Sequence, residues 1–206
     1  MNVHMPLNIE DDDMANHFSS QPWSTPTAMS YAICRLDLAK LSRQITDKLA
    51  LEVFEGRKLD YEDVLRLDSG LRTSLESMPE FFHFGTRPGK HTSLQLGPQT
   101  LVWQRNMLHM GYNLRFCRLH RENFLRGAKE PKFSYSHIIC LQSARTILEI
   151  KRAMDEEFPV MTPSSSLVWS IVHHVFVAAV VLLADLCFNW DELFAEKRRE
   201  ELLAVY

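Results

Sequence analysis

HRENFLRGAKEPKFSYSHIICLQSARTIL, residues 120 to 148, decides the fold class of this 206-residue chain. His120 and Arg121 open a short apolar segment, and Gly127 and Pro131 interrupt it. Ser134 or Ser136 then caps a new helix whose stripe is Ile138, Leu141, Ala144, Ile147 and Leu148. One amphipathic helix ends on glycine and another begins behind a serine cap, so the chain is built from helices joined by short connections.

Upstream of this junction, a helix is expected from about Thr100 to Cys117, extending toward Arg126. Leu101, Leu108, Tyr112 and Leu119 lie near one face, with Met107, Met110 and Leu114 beside it. Residues 80 to 98 carry Gly85, Pro88, Gly89, Gly97 and Pro98 among aromatic residues and read as a long loop. Before it, Asp60 starts a helix with Glu62 and Asp63 in its first turn, where carboxylates suit the helix dipole. Its apolar positions are Leu59, Val64, Leu67, Leu71 and Leu75.

An earlier helix begins near Pro26, capped by Thr25 or Thr27. Met29, Ile33, Leu36 and Ala39 form one of its apolar columns, and Leu38, Leu41, Ile45 and Leu49 a second, as in a well-buried helix. Pro6, Pro22 and Pro26 keep residues 1 to 26 extended.

Downstream, Thr162 to Ser165 cap a helix containing the most apolar window, Val175 to Ala184. His173 and His174 precede that window and Asp185 follows it, so the uninterrupted run falls short of the roughly 20 residues of a membrane span. A central core helix is expected there, with no membrane contact. A last charged helix starts at Asp191, with Leu193, Phe194, Leu202 and Leu203 on its apolar side. The expected fold is all-α, an irregular multi-helix bundle of about six helices.

Composition restricts the chemistry. With 23 Lys and Arg against 26 Asp and Glu, the formal charge is −3, and nothing draws the chain as a whole to a polyanion. Arg115, Arg118, His120, Arg121 and Arg126 make a local basic patch, which reads as a solvated face whose arginines pair with nearby acids in preference to a phosphate-binding site. Cys34, Cys117, Cys140 and Cys187 are scattered without a C-x2-C pair, so they cannot build a zinc finger or a six-cysteine zinc cluster. They read as buried, reduced thiols of an intracellular protein, and the first residues carry no signal-peptide pattern.

The nine histidines show no H-E-x-x-H spacing, and G-x-S-x-G, P-loop and G-x-G-x-x-G patterns are missing from the sequence. No catalytic, metal-binding or DNA-binding residue is assigned. Trp103, Met107, Met110, Tyr112 and Phe116 are core candidates that also suit the lining of a small-molecule pocket.

Three ordered segments resemble the middle homology region of fungal transcription factors, the regulatory domain that follows a zinc binuclear cluster. They are residues 120 to 148, PLNIEDDDM at 6 to 14, and VFVAAVVLLADLCFNW at 175 to 190. The resemblance implies an extended N-terminal segment over residues 1–26 and a helical regulatory domain over 27–206, truncated at its C-terminal end. It implies a nuclear regulator of RNA polymerase II transcription rather than an enzyme, with zinc only in the separate DNA-reading domain. Implied partners are a second copy or a full-length regulator, a coactivator, or a small-molecule effector.

Opposite charges in two matched segments suggest a clasp in which Asp11, Asp12 or Asp13 meets His120 and Arg121. The alternative is a stand-alone small-molecule binder or enzyme on the same helical scaffold. It requires a constellation such as His109, His120 and an acid, with the loop from Glu80 to Pro98 covering a pocket.

Overall fold

A computed structural model describes residues 4–10, 19–86, 97–157 and 168–189, together with Arg199, Glu200 and Leu203. Among these residues the chain is all-helical. It has five α-helices: α1 Ser30–Phe54, α2 Tyr61–Glu76, α3 Pro98–Gly127, α4 Ser134–Glu157 and α5 Trp169–Phe188. Single 3-10 turns stand at Glu80–Phe82 and Pro131–Phe133. Arg199, Glu200 and Leu203 are helical as well, whereas most of the expected last helix and of the loop from Glu80 to Pro98 lies outside the described residues.

The chain divides into two compact units. The first comprises Met1–Leu59 and Ser69–Leu108, and the second Asp60–Asp68 and His109–Tyr206. Helices α2 and α3 each run through both.

In the first unit, Ile33, Cys34, Leu38 and Ile45 of α1, Leu71 of α2, Met78, Phe82, and Leu101 and Leu108 of α3 are buried. Of the first expected α1 column Ile33 is buried while Leu36 and Ala39 are exposed; of the second, Leu38 and Ile45 are buried and Leu41 and Leu49 half-buried. The start of α1 is fixed by side chains. The Thr27 hydroxyl accepts the Met29 N–H at 3.2 Å, and Ser30 Oγ accepts the Thr27 N–H at 2.9 Å.

Asn8 anchors the extended segment in the same place. Its Oδ1 accepts the hydroxyls of Thr27 at 2.7 Å and Ser30 at 2.8 Å, and its Nδ2 donates to the carbonyls of Pro22 and Thr25, each at 3.1 Å. Arg105, also buried, donates to the carbonyls of Phe81 and Thr86 at 2.8 Å, which satisfies a stretch of backbone that forms no ladder.

In the second unit, α4 buries Ile139, Cys140, Ala144, Ile147, Leu148 and Met154. Its stripe begins one residue later than the periodicity suggests, and Ile138 is exposed. The turn that leads into α4 is tight. A Cβ on Gly127 would stand 2.3 Å from the Phe133 carbonyl oxygen and 2.8 Å from His137 Cβ, so only glycine lets the turn fold back this closely.

Helix α5 packs on α4 and buries Ile171, His174, Ala178, Leu182 and Asp185. Its other side, including Trp169, Phe176, Val180 and Leu183, is exposed, so it is not the fully buried core helix that its composition suggests. Apolarity on every side marked a helix that must be covered, and within the described residues only one face is. By length and composition alone, α5 is long and apolar enough to cross a membrane.

Candidate functional site

The polar centre of the second unit is assembled from α2, α3 and α4. Along the part of α2 in the second unit the buried positions are Tyr61, Val64 and Asp68, so a carboxylate occupies a slot in the apolar stripe. Asp68 is 3% exposed and lies opposite His120 of α3, which is fully buried. His120 Nε2 is 3.1 Å from Asp68 Oδ1, and His120 Nδ1 is 2.8 Å from Ser136 Oγ in the first turn of α4. Tyr135 donates its hydroxyl to Asp68 Oδ2 at 2.7 Å, and its ring stands edge-on to the imidazole at 5.7 Å. Ser136 Oγ is in turn 3.2 Å from the Tyr61 hydroxyl.

Asp68, His120, Ser136, Tyr135 and Tyr61 thus form one connected network. Each buried polar group in it has a partner, which is the condition for such a network to stabilise rather than destabilise a core.

A serine, a histidine and an aspartate in line invite comparison with a hydrolase. Chemistry on a substrate requires an accessible serine oxygen with oxyanion donors beside it, and Ser136 is fully buried. The ring is also turned, with the carboxylate on Nε2 and the serine on Nδ1. Such an arrangement holds three helices in register.

A second histidine–aspartate couple flanks the first. His137, next to Ser136, donates from Nδ1 to the Phe124 carbonyl at 3.2 Å and places Nε2 3.3 Å from Asp185 Oδ1. The Phe124 ring stacks on His137 at 5.0 Å, and Asn189 donates to Asp185 at 2.6 Å, closing the end of α5. The first turn of α4 therefore carries adjacent residues, Ser136 and His137, that reach α3 and α5 separately.

Of the expected clasp, Asp11, Asp12 and Asp13 lie outside the described residues, Arg121 is exposed, and both ring nitrogens of His120 are occupied by Asp68 and Ser136. Among the candidate pocket residues, Trp103 and Met107 are half-buried in the first unit, while Met110, Tyr112 and Phe116 belong to the core of the second. His109 is buried. Among the described residues, no three His, Cys, Asp or Glu side chains gather in a way that could hold a metal ion.

The thiols are free. Cys34, Cys117 and Cys140 are buried, whereas Cys187 is exposed, contrary to its apolar sequence context. Burial pushes Cys34 and Cys117 up to about 12, with Asp37 adding to the effect at Cys34, and burial also raises Cys140. Among the arginines, Arg126 forms the anticipated pair with an acid, Glu130, at 3.1 Å, while Arg118 instead donates to His173 Nε2 at 2.8 Å.

Sequence comparison finds relatives of the chain. The chain is 31% identical over 208 residues to the probable transcription factor lepB of Aspergillus flavus, an alignment covering 98% of this chain and 36% of that protein. It is 30% identical over 208 residues to the agnestins biosynthesis cluster transcription factor AgnL11 of Paecilomyces divaricatus, covering 98% of this chain and 28% of that one. With transcription factor phm2 of Pyrenochaetopsis sp the identity is 29% over 159 residues, covering 74% of this chain and 20% of that protein.

The chain is a homologue of proteins named as fungal transcription factors. It spans about a third of the length of the first two of these relatives. No family model and no solved structure matches it.

Proposed function

We propose that this chain is a regulatory domain of the middle-homology type from a fungal transcription factor, acting in the nucleus on RNA polymerase II transcription through protein or small-molecule contacts. The observation that carries the reading is the similarity to lepB across 98% of the chain. The closed Asp68–His120–Ser136 network fits a scaffold better than a catalyst. A formal charge of −3 and cysteines without zinc-cluster spacing support a reading in which this chain does not itself contact DNA.

The test is a fusion of residues 1–206 to an unrelated DNA-binding domain in a yeast reporter strain. Reporter output is expected to change several-fold relative to the DNA-binding domain alone, while the unfused chain leaves duplex DNA unshifted at physiological salt. A fusion that accumulates in the nucleus and leaves output unchanged, with and without extracts of the source fungus, would sink the reading.

A further inference from the structure

We propose that the outer face of α5 is a self-association surface on which a second copy of this chain pairs antiparallel. The residues of that face are Trp169, Val172, Phe176, Val180, Leu183 and Cys187, all exposed, and Phe188 joins them at the C-terminal end. Their mean step is about 3.6 residues, so the stripe runs straight along the helix, opposite the face that packs on α4. Trp169 is 78% exposed, Phe176 64% and Phe188 59%.

Three aromatic and three aliphatic side chains at such exposures present apolar surface on the order of 600 Å². That equals the largest patch a typical monomer leaves in water, about 300–600 Å². Two copies face to face would bury about 1,200 Å², the lower bound of a specific interface.

Charge selects a second copy in antiparallel orientation. At the N-terminal end of α5, His173 stacks on Trp169 at 6.3 Å and accepts the Arg118 guanidinium. Arg115 carries charge in the same region, where it and Arg118 help to hold His174 below the ordinary imidazole value. These cations sit beside the end of the helix that already carries positive partial charge. The opposite end has no basic residue in its last turn and carries the negative partial charge of the helix. Antiparallel pairing sets the basic end of each helix against the carbonyl-rich end of its partner, whereas parallel pairing sets like against like. Two-fold symmetry makes the contact self-complementary and closed. The pairing stands independently of what the domain regulates.

The experiment is sedimentation of the whole chain at micromolar concentration, together with variants on the outer face of α5. The unaltered chain is expected to sediment at twice its 24.0 kDa mass. Phe176→Asp and, separately, Val172→Lys are expected to sediment as monomers with unchanged far-ultraviolet helicity. For orientation, Trp169→Cys, which faces Cys187 in the antiparallel register of the stripe, is expected to yield a covalent dimer under mild oxidation that disappears when Cys187→Ser is added, while Cys187 alone yields none. A monomeric unaltered chain overturns the proposal, and so does a dimer that survives both face variants. Crosslinking through Cys187 alone refutes the antiparallel orientation. A monomer that co-sediments with phosphatidylcholine vesicles assigns the face to lipid instead.

Discussion

Asp68 occupies a position on α2 that helical spacing reserves for an apolar side chain, and this one residue explains why the region around His120 is ordered as it is. Removing its carboxylate leaves His120 Nε2 and the Tyr135 hydroxyl facing each other without their acceptor inside the second unit. Asp68→Ala is therefore expected to lower stability by about 3 kcal/mol, within the range for breaking one partner of a buried pair. Asp68→Asn, which keeps one acceptor oxygen, should lose clearly less, and urea denaturation of the two variants distinguishes them. Gly127 is a residue of the opposite kind, required for what it lacks. With the Phe133 carbonyl oxygen 2.3 Å from where a Cβ would stand, Gly127→Ala must push the turn away from α3. The expected cost is about 1–3 kcal/mol, as for other overpacked sites, measured by the same denaturation midpoint.

At the level of elements, helix positions were legible from periodicity and their faces less so. The ends of α3 at Gly127 and of α4 at Glu157 fall where Gly127 and the acids before Pro159 place them. The stripe of α4 is displaced because Ser136 and His137 are held by His120 and Asp185, and polar contacts between distant residues leave no mark on an apolar pattern. The sequence did carry one usable signal for the missing partner: Tyr61, Val64, Asp68 and Leu71 share a helical face, and the acid among them needed a base. Asn8 stands beside a run of acids whose charge is conspicuous in the sequence, whereas a single amide making several bonds leaves no such mark.

Helix α5 adds a pH response. Burial holds His174 below the ordinary imidazole value; its bond to the Ser170 carbonyl pulls the other way, and His173, Arg115 and Arg118 then reinforce the depression. The folded pKa is therefore lower than the unfolded value of about 6.5. Above that value both states are neutral and the stability is fully present. As pH falls through it, the unfolded chain takes up a proton that the folded chain resists, so stability declines until the lower folded pKa is reached. His174→Gln is expected to flatten this decline in thermal melts taken from neutral to mildly acidic pH. An unchanged slope would assign the acid response to other groups.

At the scale of the whole molecule, the two units share two helices, since α2 crosses from one to the other after Asp68 and α3 after Leu108. A helix cannot melt on one side of such a point without exposing backbone groups that the intact helix satisfies, so opening of one unit costs hydrogen bonds at the edge of the other. This favours a single cooperative transition, and the buried thiols provide its readout. Cys34 reports the first unit, and Cys117 and Cys140 report the second. In the native state their elevated pKa values leave almost no thiolate at neutral pH, and burial blocks access, so alkylation requires opening. Mass-spectrometric mapping of pulse alkylation across a urea series is expected to give coincident midpoints for Cys34 and Cys140. Asp68→Ala, although its lost bonds lie in the second unit, should move both midpoints to lower urea together. Independent midpoints, with only Cys117 and Cys140 responding to that substitution, would mean that the shared helices break at their crossing points and that the units unfold separately.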